Sequence, residues 1–169
     1  MRALRKSPSR ADVSLGEQRL QEVIAAIASA QPAPGAGAAG AIALALAAAC
    51  AGKAASIGLK HHADDVELRR ASSRFLEISQ RALDGADADA EGFERFMHAK
   101  KETLAQQLIV TDRRLVELAE ELVAAIRAVE ARIDATLAGD LAAARLLAQA
   151  SQLIQARNIN ETQAEATRS

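Results

Sequence analysis

Apolar residues recur every three or four positions along most of the chain, and this spacing predicts a succession of amphipathic helices. Ser14 and Glu17 have the spacing of a capping box, so we predict a first helix from there to about Ala30. Pro32 and Pro34 follow and end this helix, because proline removes a backbone donor and blocks the preceding turn.

The next segment, from about Ala38 to Leu59, is apolar on nearly every side and consists mainly of alanine and glycine. A helix of this kind belongs at the centre of a bundle. The uncharged run from Pro32 to Gly52 is also about as long as a membrane span. Its bulky apolar residues are few, namely Ile42, Leu44 and Leu46. Insertion into lipid is therefore weakly driven, and we favour a central helix with close neighbours.

Four further helices are predicted between start and stop signals in the rest of the chain. These signals are a cap at Asp64 or Asp65, a break at Asp84 and Gly85, a cap at Asp87 or Asp89, a cap at Thr111 or Asp112, and a stop and cap at Gly139 and Asp140. The expected fold is all-α, a single compact bundle of about six helices around the central Ala-rich helix. It spans residues 14–160, between a basic flexible tail at residues 1–13 and a polar tail at residues 161–169.

The composition narrows the range of partners. The formal net charge is -1 and aromatic residues make up 2% of the chain, so neither a basic surface nor base-stacking platforms are available for nucleic acid. Cys50 is the single cysteine, which suits a reducing compartment. The basic N-terminus is not followed by an apolar segment typical of a secretory signal. We expect a cytoplasmic protein without nucleic-acid or membrane partners.

Four stretches carry a resemblance to a known family. They are "PAPGAGAAGAIALALAAACA", "SIGLKHH", "DADAEGFERFMHAKK" and "DLAAARLLAQASQLIQARNIN". In this order, over roughly Ala30 to Asn160, they resemble the cyclodeaminase/cyclohydrolase family of folate enzymes. That family includes the C-terminal domain of formiminotransferase-cyclodeaminase and the methenyltetrahydrofolate cyclohydrolases. The chain resembles a divergent member, because Gly35-Ala36-Gly37-Ala38 stands where the family usually has three glycines and a serine, and the segment between Lys101 and Val110 is shorter.

The resemblance implies a one-carbon reaction on folate. Either water adds to the bridging carbon of methenyltetrahydrofolate, giving formyltetrahydrofolate, or formiminotetrahydrofolate closes its ring with loss of ammonia. Both routes pass through a tetrahedral carbon and need protons moved on and off nitrogen, for which one positioned acid–base group suffices. The tetrahydrofolate derivative enters as a substrate, no cofactor is permanently bound, and a homodimer is implied.

The resemblance also implies the site. The predicted catalytic residues are Asp89, as acid–base group, and Lys60, which pairs with the substrate or polarises it. Gly35 and Gly37 bring backbone amides to the ligand at the start of the central helix. The other predicted substrate-binding residues are Lys101, Asp140, Asn158 and Asn160. For Asp89 and Asp140 a plain helix cap is the alternative, and for Lys60 it is a solvated lysine.

No metal site is predicted. His61 and His62 are adjacent, so they point to different faces of a helix, and no further ligand set completes a zinc site. Two other functions remain open beside the enzyme: a non-catalytic helical dimer that serves as a scaffold subunit, and a folate-binding regulator derived from the same family.

Overall fold

The computed structural model describes residues 14–168, and this part of the chain is all-α, as predicted. It contains five α-helices rather than about six. They are α1 (Leu20–Ile27), α2 (Ala36–His61), α3 (Val66–Ala99), α4 (Glu102–Val129) and α5 (Ala138–Ala166). Two short 3-10 helices, Glu130–Arg132 and Ala135–Leu137, connect α4 to α5. The predicted basic tail at residues 1–13 lies outside the described residues.

Helix α2 packs against α3 on one side and α5 on the other, and α4 completes the bundle between those two helices. Its alanines let the neighbouring backbones come close, so that the hydroxyl of Ser79 on α3 donates to the carbonyl of Ala45 at 3.2 Å. Leu44 from α2 is fully buried in the same core as Phe75 and Ile78 from α3. Larger side chains on the neighbours therefore fill the space that the small residues of α2 leave.

Helix α2 is, among the described residues, the one helix long and apolar enough by length and composition to cross a membrane. In its most apolar window, 44% of the residues are buried inside the protein. The central helix of a bundle meets the same criteria of length and hydropathy, because it too is shielded from water.

The predicted break at Asp84 and Gly85 is wrong, because α3 continues through both residues. Gly85 faces Leu115 of α4, and a Cβ built on Gly85 would lie 2.6 Å from a Leu115 methyl carbon. The glycine thus permits close packing of two helices and does not mark a turn. The predicted third and fourth helices are therefore one, which lowers the count from six to five.

The predicted caps at Thr111 and Asp112 are also wrong, because α4 begins at Glu102. Lys100 ends α3 in a left-handed conformation with φ of 49°, and Lys101 then begins the next helix as its N-cap. This single tight turn replaces the longer connection that the cap signals suggested.

The ends of the other helices differ from the sequence pattern as well. Helix α1 begins at Leu20, and residues 15–18 before it form a turn and a bend. The Leu15 amide there donates to the carboxylate of Asp87 on α3 at 2.7 Å. Helix α5 begins at Ala138 and continues past Asn160 to Ala166. Its last turns bury Thr162, which gives a packed face to a stretch that composition marks as polar.

Candidate functional site

A cavity of about 400 Å³ lies at the end of the bundle where the central helix begins. Its wall comes from four places: the loop before α2 and its first turn, the second half of α3, the first turns of α4, and the last turns of α5. Phe93, Phe96 and Leu108 supply the apolar part of the wall. Carboxylates from three helices supply most of the charge, so the cavity is acidic.

Asp89 lies in this cavity directly against the first turn of α2. Its side chain is 6% exposed, and the backbone amide of Ala38 donates to its carboxylate. A Cβ on Gly37 would overlap both carboxylate oxygens, so only glycine leaves room for this contact. Burial raises the pKa of Asp89 to about 6, and the hydrogen bond from Ala38 opposes that rise. A carboxyl with a pKa near neutrality is suited to proton transfer.

Asp112 is a second carboxyl in the same cavity, although its sequence pattern predicted only a helix cap. It is 1% exposed, and its Oδ1 atom has no hydrogen-bond partner among the described residues. Burial raises its pKa to about 7, and the nearby charge of Asp89 contributes to that rise. One sequence signal points to it. Asp112 continues the apolar stripe of Ala105, Leu108 and Leu115 at helical spacing, which places it on the buried face.

Ion pairs line the part of the cavity formed by α5. Lys100 lies 3.0 Å from Glu165, and its ammonium group is 5.0 Å from the centre of the Phe96 ring. Glu161 is held by Arg157 at 2.7 Å. These side chains keep substantial exposure to solvent, so the rim of the cavity is polar and hydrated.

An amide pair connects α5 to the glycine loop. Gln155 is fully buried and donates from Nε2 to the carbonyl of Gly37 at 3.0 Å. Asn158, one turn further along, lines the cavity and donates to the Gln155 side-chain oxygen at 3.4 Å. This contact fixes the position of the first turn of α2 relative to the last turns of α5. Gln155 was not singled out by the sequence, because a glutamine inside a helix has no local signature.

The structure brings four of the predicted site residues together. Gly35 and Gly37 at the start of α2, Asp89 on α3 and Asn158 on α5 all line the cavity, although they come from distant parts of the chain. Ala36, where the family usually has glycine, is the first residue of α2 and adopts helical geometry.

The other predicted site residues do not line this cavity. Lys60 is exposed near the opposite end of α2, about 36 Å along the helix axis from Ala36. Asp140 lies at the start of α5 and pairs with Lys53 at 3.0 Å. Lys101 is the exposed N-cap of α4, and its neighbour Lys100 contributes the cation instead.

Asn160 is the last of these residues, and it is exposed on α5. His61 and His62 are exposed too, near the far end of α2. Within residues 14–168, no three His, Cys, Asp or Glu side chains are grouped closely enough to hold a metal ion.

The fold and the site define a helical-bundle protein whose central small-residue helix starts at a glycine loop, against a cavity with two buried carboxyls. The sequence model of the family described as Formiminotransferase-cyclodeaminase matches residues 19–161. The chain belongs to this family, which confirms the resemblance.

A solved structure has the same fold. The chain is similar to the crystal structure of formiminotetrahydrofolate cyclodeaminase from Thermotoga maritima, with a TM-score of 0.84 and 24% sequence identity. The match covers 90% of this chain and 81% of that chain. No curated protein matches the sequence.

Proposed function

We propose that the protein is a folate-dependent one-carbon enzyme that hydrolyses methenyltetrahydrofolate to formyltetrahydrofolate. The observation that carries this proposal is the buried carboxyl of Asp89, which lies against Gly37 in a ligand-sized cavity and has its pKa raised to about 6. Family membership supports folate as the substrate class. The bridging carbon of methenyltetrahydrofolate lies between two nitrogens that share a positive charge, and an acidic cavity favours such a cation.

In this reaction the bridging carbon is the electrophile and Asp89 is the acid–base group. A water oxygen forms a bond to the carbon while Asp89 accepts a proton from that water. The resulting tetrahedral carbon then loses one of its nitrogens, which keeps the electron pair of the broken bond and takes up a proton. The remaining hydroxyl loses its proton and becomes the formyl carbonyl, so one proton is released overall.

The other residues of the cavity have binding roles in this proposal. The backbone at Gly35 and Gly37 lies against the reacting end of the substrate, and Asn158 offers an amide from α5, which contacts the glycine loop through Gln155. Lys100 replaces Lys60 and Lys101 as the cation for the anionic tail of folate, because it lies at the rim of the cavity.

Cyclodeamination of formiminotetrahydrofolate is the second candidate reaction. The solved structure that shares this fold carries that activity in its name. The formimino group is also an amidine that is cationic when protonated, and its ring closure with loss of ammonia needs the same proton transfers. Asp89 fits both reactions, so the substrate that is turned over decides between them.

The test follows the loss of near-ultraviolet absorbance of methenyltetrahydrofolate, with the spontaneous rate subtracted. We expect the purified full chain to accelerate hydrolysis, and Asp89→Asn to lower the enzymatic rate about 10²- to 10⁴-fold. The matched control is Asp84→Asn, because Asp84 is exposed on the same helix and its carboxylate accepts from Gln80 outside the cavity. This control is expected to keep the wild-type rate.

Equilibrium binding of both folates, measured separately, separates the remaining functions. Binding with turnover of the formimino substrate alone identifies a cyclodeaminase. Binding without any turnover identifies a folate-binding regulator, and the absence of both identifies a non-catalytic scaffold. The last two results would contradict the enzyme proposal.

A further inference from the structure

A buried charge without a counter-charge is costly, and Asp112 is in this position. It lies inside α4, it is 1% exposed, and its Oδ1 atom has no hydrogen-bond partner among the described residues. This oxygen therefore does not link α4 to another helix by a hydrogen bond. Asp112 lines the same cavity as Asp89, so its carboxyl lies against the space that a ligand would occupy.

We infer that Asp112 is a second acid–base residue of this cavity and that it shares a single proton with Asp89. Two carboxyls in one water-poor site do not both ionise readily, because each negative charge disfavours the other. The pair therefore presents one carboxylate and one carboxylic acid to the same ligand. The role of the pair in a reaction rests on the proposed function, whereas the sharing of one proton between the two carboxyls does not.

The surroundings of the pair support this assignment. The other charged groups that line the cavity are Lys100, at the turn between α3 and α4, and Glu161 and Glu165 on α5. Lys100 pairs with Glu165 at 3.0 Å, and Glu161 pairs with Arg157. The cation at the rim is thus already engaged by a carboxylate, and proton sharing is left as the way to reduce the charge of the pair.

The pKa values agree with this arrangement. Burial raises the pKa of Asp89 to about 6, and burial together with the charge of Asp89 raises that of Asp112 to about 7. Between these values the pair holds one proton, which resides mainly on Asp112. Asp89 is then the base and Asp112 the acid.

The pair supplies both proton transfers of the proposed hydrolysis. As the water oxygen bonds to the bridging carbon, the Asp89 carboxylate takes a proton from that water. As the carbon–nitrogen bond breaks, with its electron pair remaining on nitrogen, Asp112 gives its proton to that nitrogen. Asp112 then takes the proton of the hydroxyl that becomes a carbonyl, and Asp89 releases its proton to solvent. Both carboxyls are thereby restored, and one proton is released.

The first test needs no ligand. The carboxyl carbons of the full chain, made with isotope-labelled aspartate, are followed by NMR while the pH is raised. We expect Asp112 to titrate near 7 and Asp89 near 6. In Asp89→Asn, the midpoint of Asp112 is expected to fall, because the neighbouring negative charge is gone. Asp84→Asn, the exposed control on α3, is expected to leave both midpoints unchanged.

Titration of Asp112 together with the exposed aspartates would overturn the inference. An Asp112 midpoint that does not respond to Asp89→Asn would overturn it as well. Since the two elevated midpoints are measured on the wild-type chain, this part of the test does not depend on whether a variant folds.

The second test concerns the reaction. Asp112→Asn is expected to lower turnover of methenyltetrahydrofolate about 10²- to 10⁴-fold and to remove one limb of the pH–rate profile. A variant that keeps the wild-type rate and profile would overturn the acid–base role of Asp112. If the wild-type chain turns over neither folate, the proposed function fails, and the NMR titration still decides whether the two carboxyls share a proton.

Discussion

At the residue scale, Gly37 shows how the lack of a side chain can create a site. The Asp89 carboxylate occupies the space that a Cβ on Gly37 would take, and it accepts the Ala38 amide there. The first turn of α2 thereby holds a carboxyl that burial would otherwise leave unsupported. The family pattern of glycines before an Ala-rich helix has a direct steric reason at this position.

We predict that Gly37→Ala lowers the free energy of unfolding by about 1 to 3 kcal/mol, because the new methyl group displaces Asp89 or shifts α2. Urea denaturation measures the change. Gly139→Ala is the matched control, since Gly139 is also helical and has nothing within 4 Å of an added Cβ. The control is expected to be neutral or to stabilise the protein by up to about 1 kcal/mol. Equal effects of the two substitutions would contradict the steric account.

A second prediction at this scale concerns pH. The pKa of Asp112 is about 7 in the folded protein, whereas the ordinary pKa of an aspartate is 3.8. The folded state therefore binds the proton more tightly than the unfolded state between these two pH values. The free energy of unfolding therefore falls as the pH rises through that range. The stabilising contribution of this proton is completely lost above about pH 7. Fully expressed, the shift corresponds to roughly 4 kcal/mol.

We expect Asp112→Asn to remove much of this dependence, so that the variant is the more stable protein above pH 7 and differs less from wild type near pH 5. Urea denaturation at a series of pH values measures both slopes. Asp84→Asn serves again as the exposed control and should follow the wild-type curve. Parallel curves of stability against pH for wild type and Asp112→Asn would show that folding does not raise the pKa of this carboxyl.

At the scale of the element, the last turns of α5 build one wall of the cavity. Glu161, Thr162 and Glu165 line it, and Glu165 holds Lys100 at the end of α3. The core of the bundle is formed elsewhere, mostly by the earlier part of α5 and by the other three long helices. The two functions of α5 are thus separated along its length.

A chain that ends after Asn160 is expected to keep the bundle fold and to bind folate at least about tenfold more weakly, because one wall and its ion pair are lost. Tenfold corresponds to about 1.4 kcal/mol. Binding is measured by titration calorimetry, and helicity by circular dichroism. A chain that ends after Ala166 keeps all the lining residues and is the control. Unchanged affinity in the shorter chain would place the ligand outside this cavity.

The helices show where sequence patterns suffice and where they do not. The buried stripes, such as Leu68, Phe75 and Ile78 on α3, follow the local periodicity from which the helices were predicted. The break at Asp84 and Gly85 failed because a glycine that packs against another helix has the same local sequence as one that ends a helix. Contacts with other helices decide between these two roles of a glycine, and a single sequence does not show those contacts.

The same reasoning applies to the cavity. Asp89 and Gly37 were found because they lie in motifs that resemble the family. Asp112 was assigned to a cap, because aspartate before an apolar stripe suits that role equally well. Lys60 was chosen from a neighbouring motif, although the helix places it far from Asp89. Spacing predicts which face of a helix a residue occupies, but not which end of the bundle it reaches.

At the scale of the whole molecule, the antiparallel path of the helices brings four distant parts of the chain to one end. The start of α2, the second half of α3, the start of α4 and the end of α5 meet around the cavity. The connection from α3 to α4 is a single tight turn at Lys100, which keeps this end compact. One face of the central helix α2 is not covered by the neighbouring helices. That face is available for contact with a second copy of the chain.

We propose that the protein is a homodimer formed through this outer face of α2. Leu46 is 52% exposed at its centre, and Ile42 and Ala43 beside it are partly exposed. The face carries no charge over the first turns of the helix, since Lys53 is the first charged residue of α2. Small side chains allow two copies of α2 to approach closely across a twofold axis, and such a contact would cover the apolar stripe.

Light scattering after size-exclusion chromatography is expected to give twice the chain mass for wild type. Leu46→Asp should give a monomer, because each copy would bring a carboxylate into the centre of a symmetric contact. Val110→Asp is the matched control, since Val110 is 43% exposed on α4, across the bundle from α2, and it should remain dimeric. A monomeric wild type, or loss of the dimer in Val110→Asp alone, would exclude α2 as the contact. If Leu46→Asp also keeps its activity at low protein concentration, the cavity works within one protomer, as its lining from a single chain predicts.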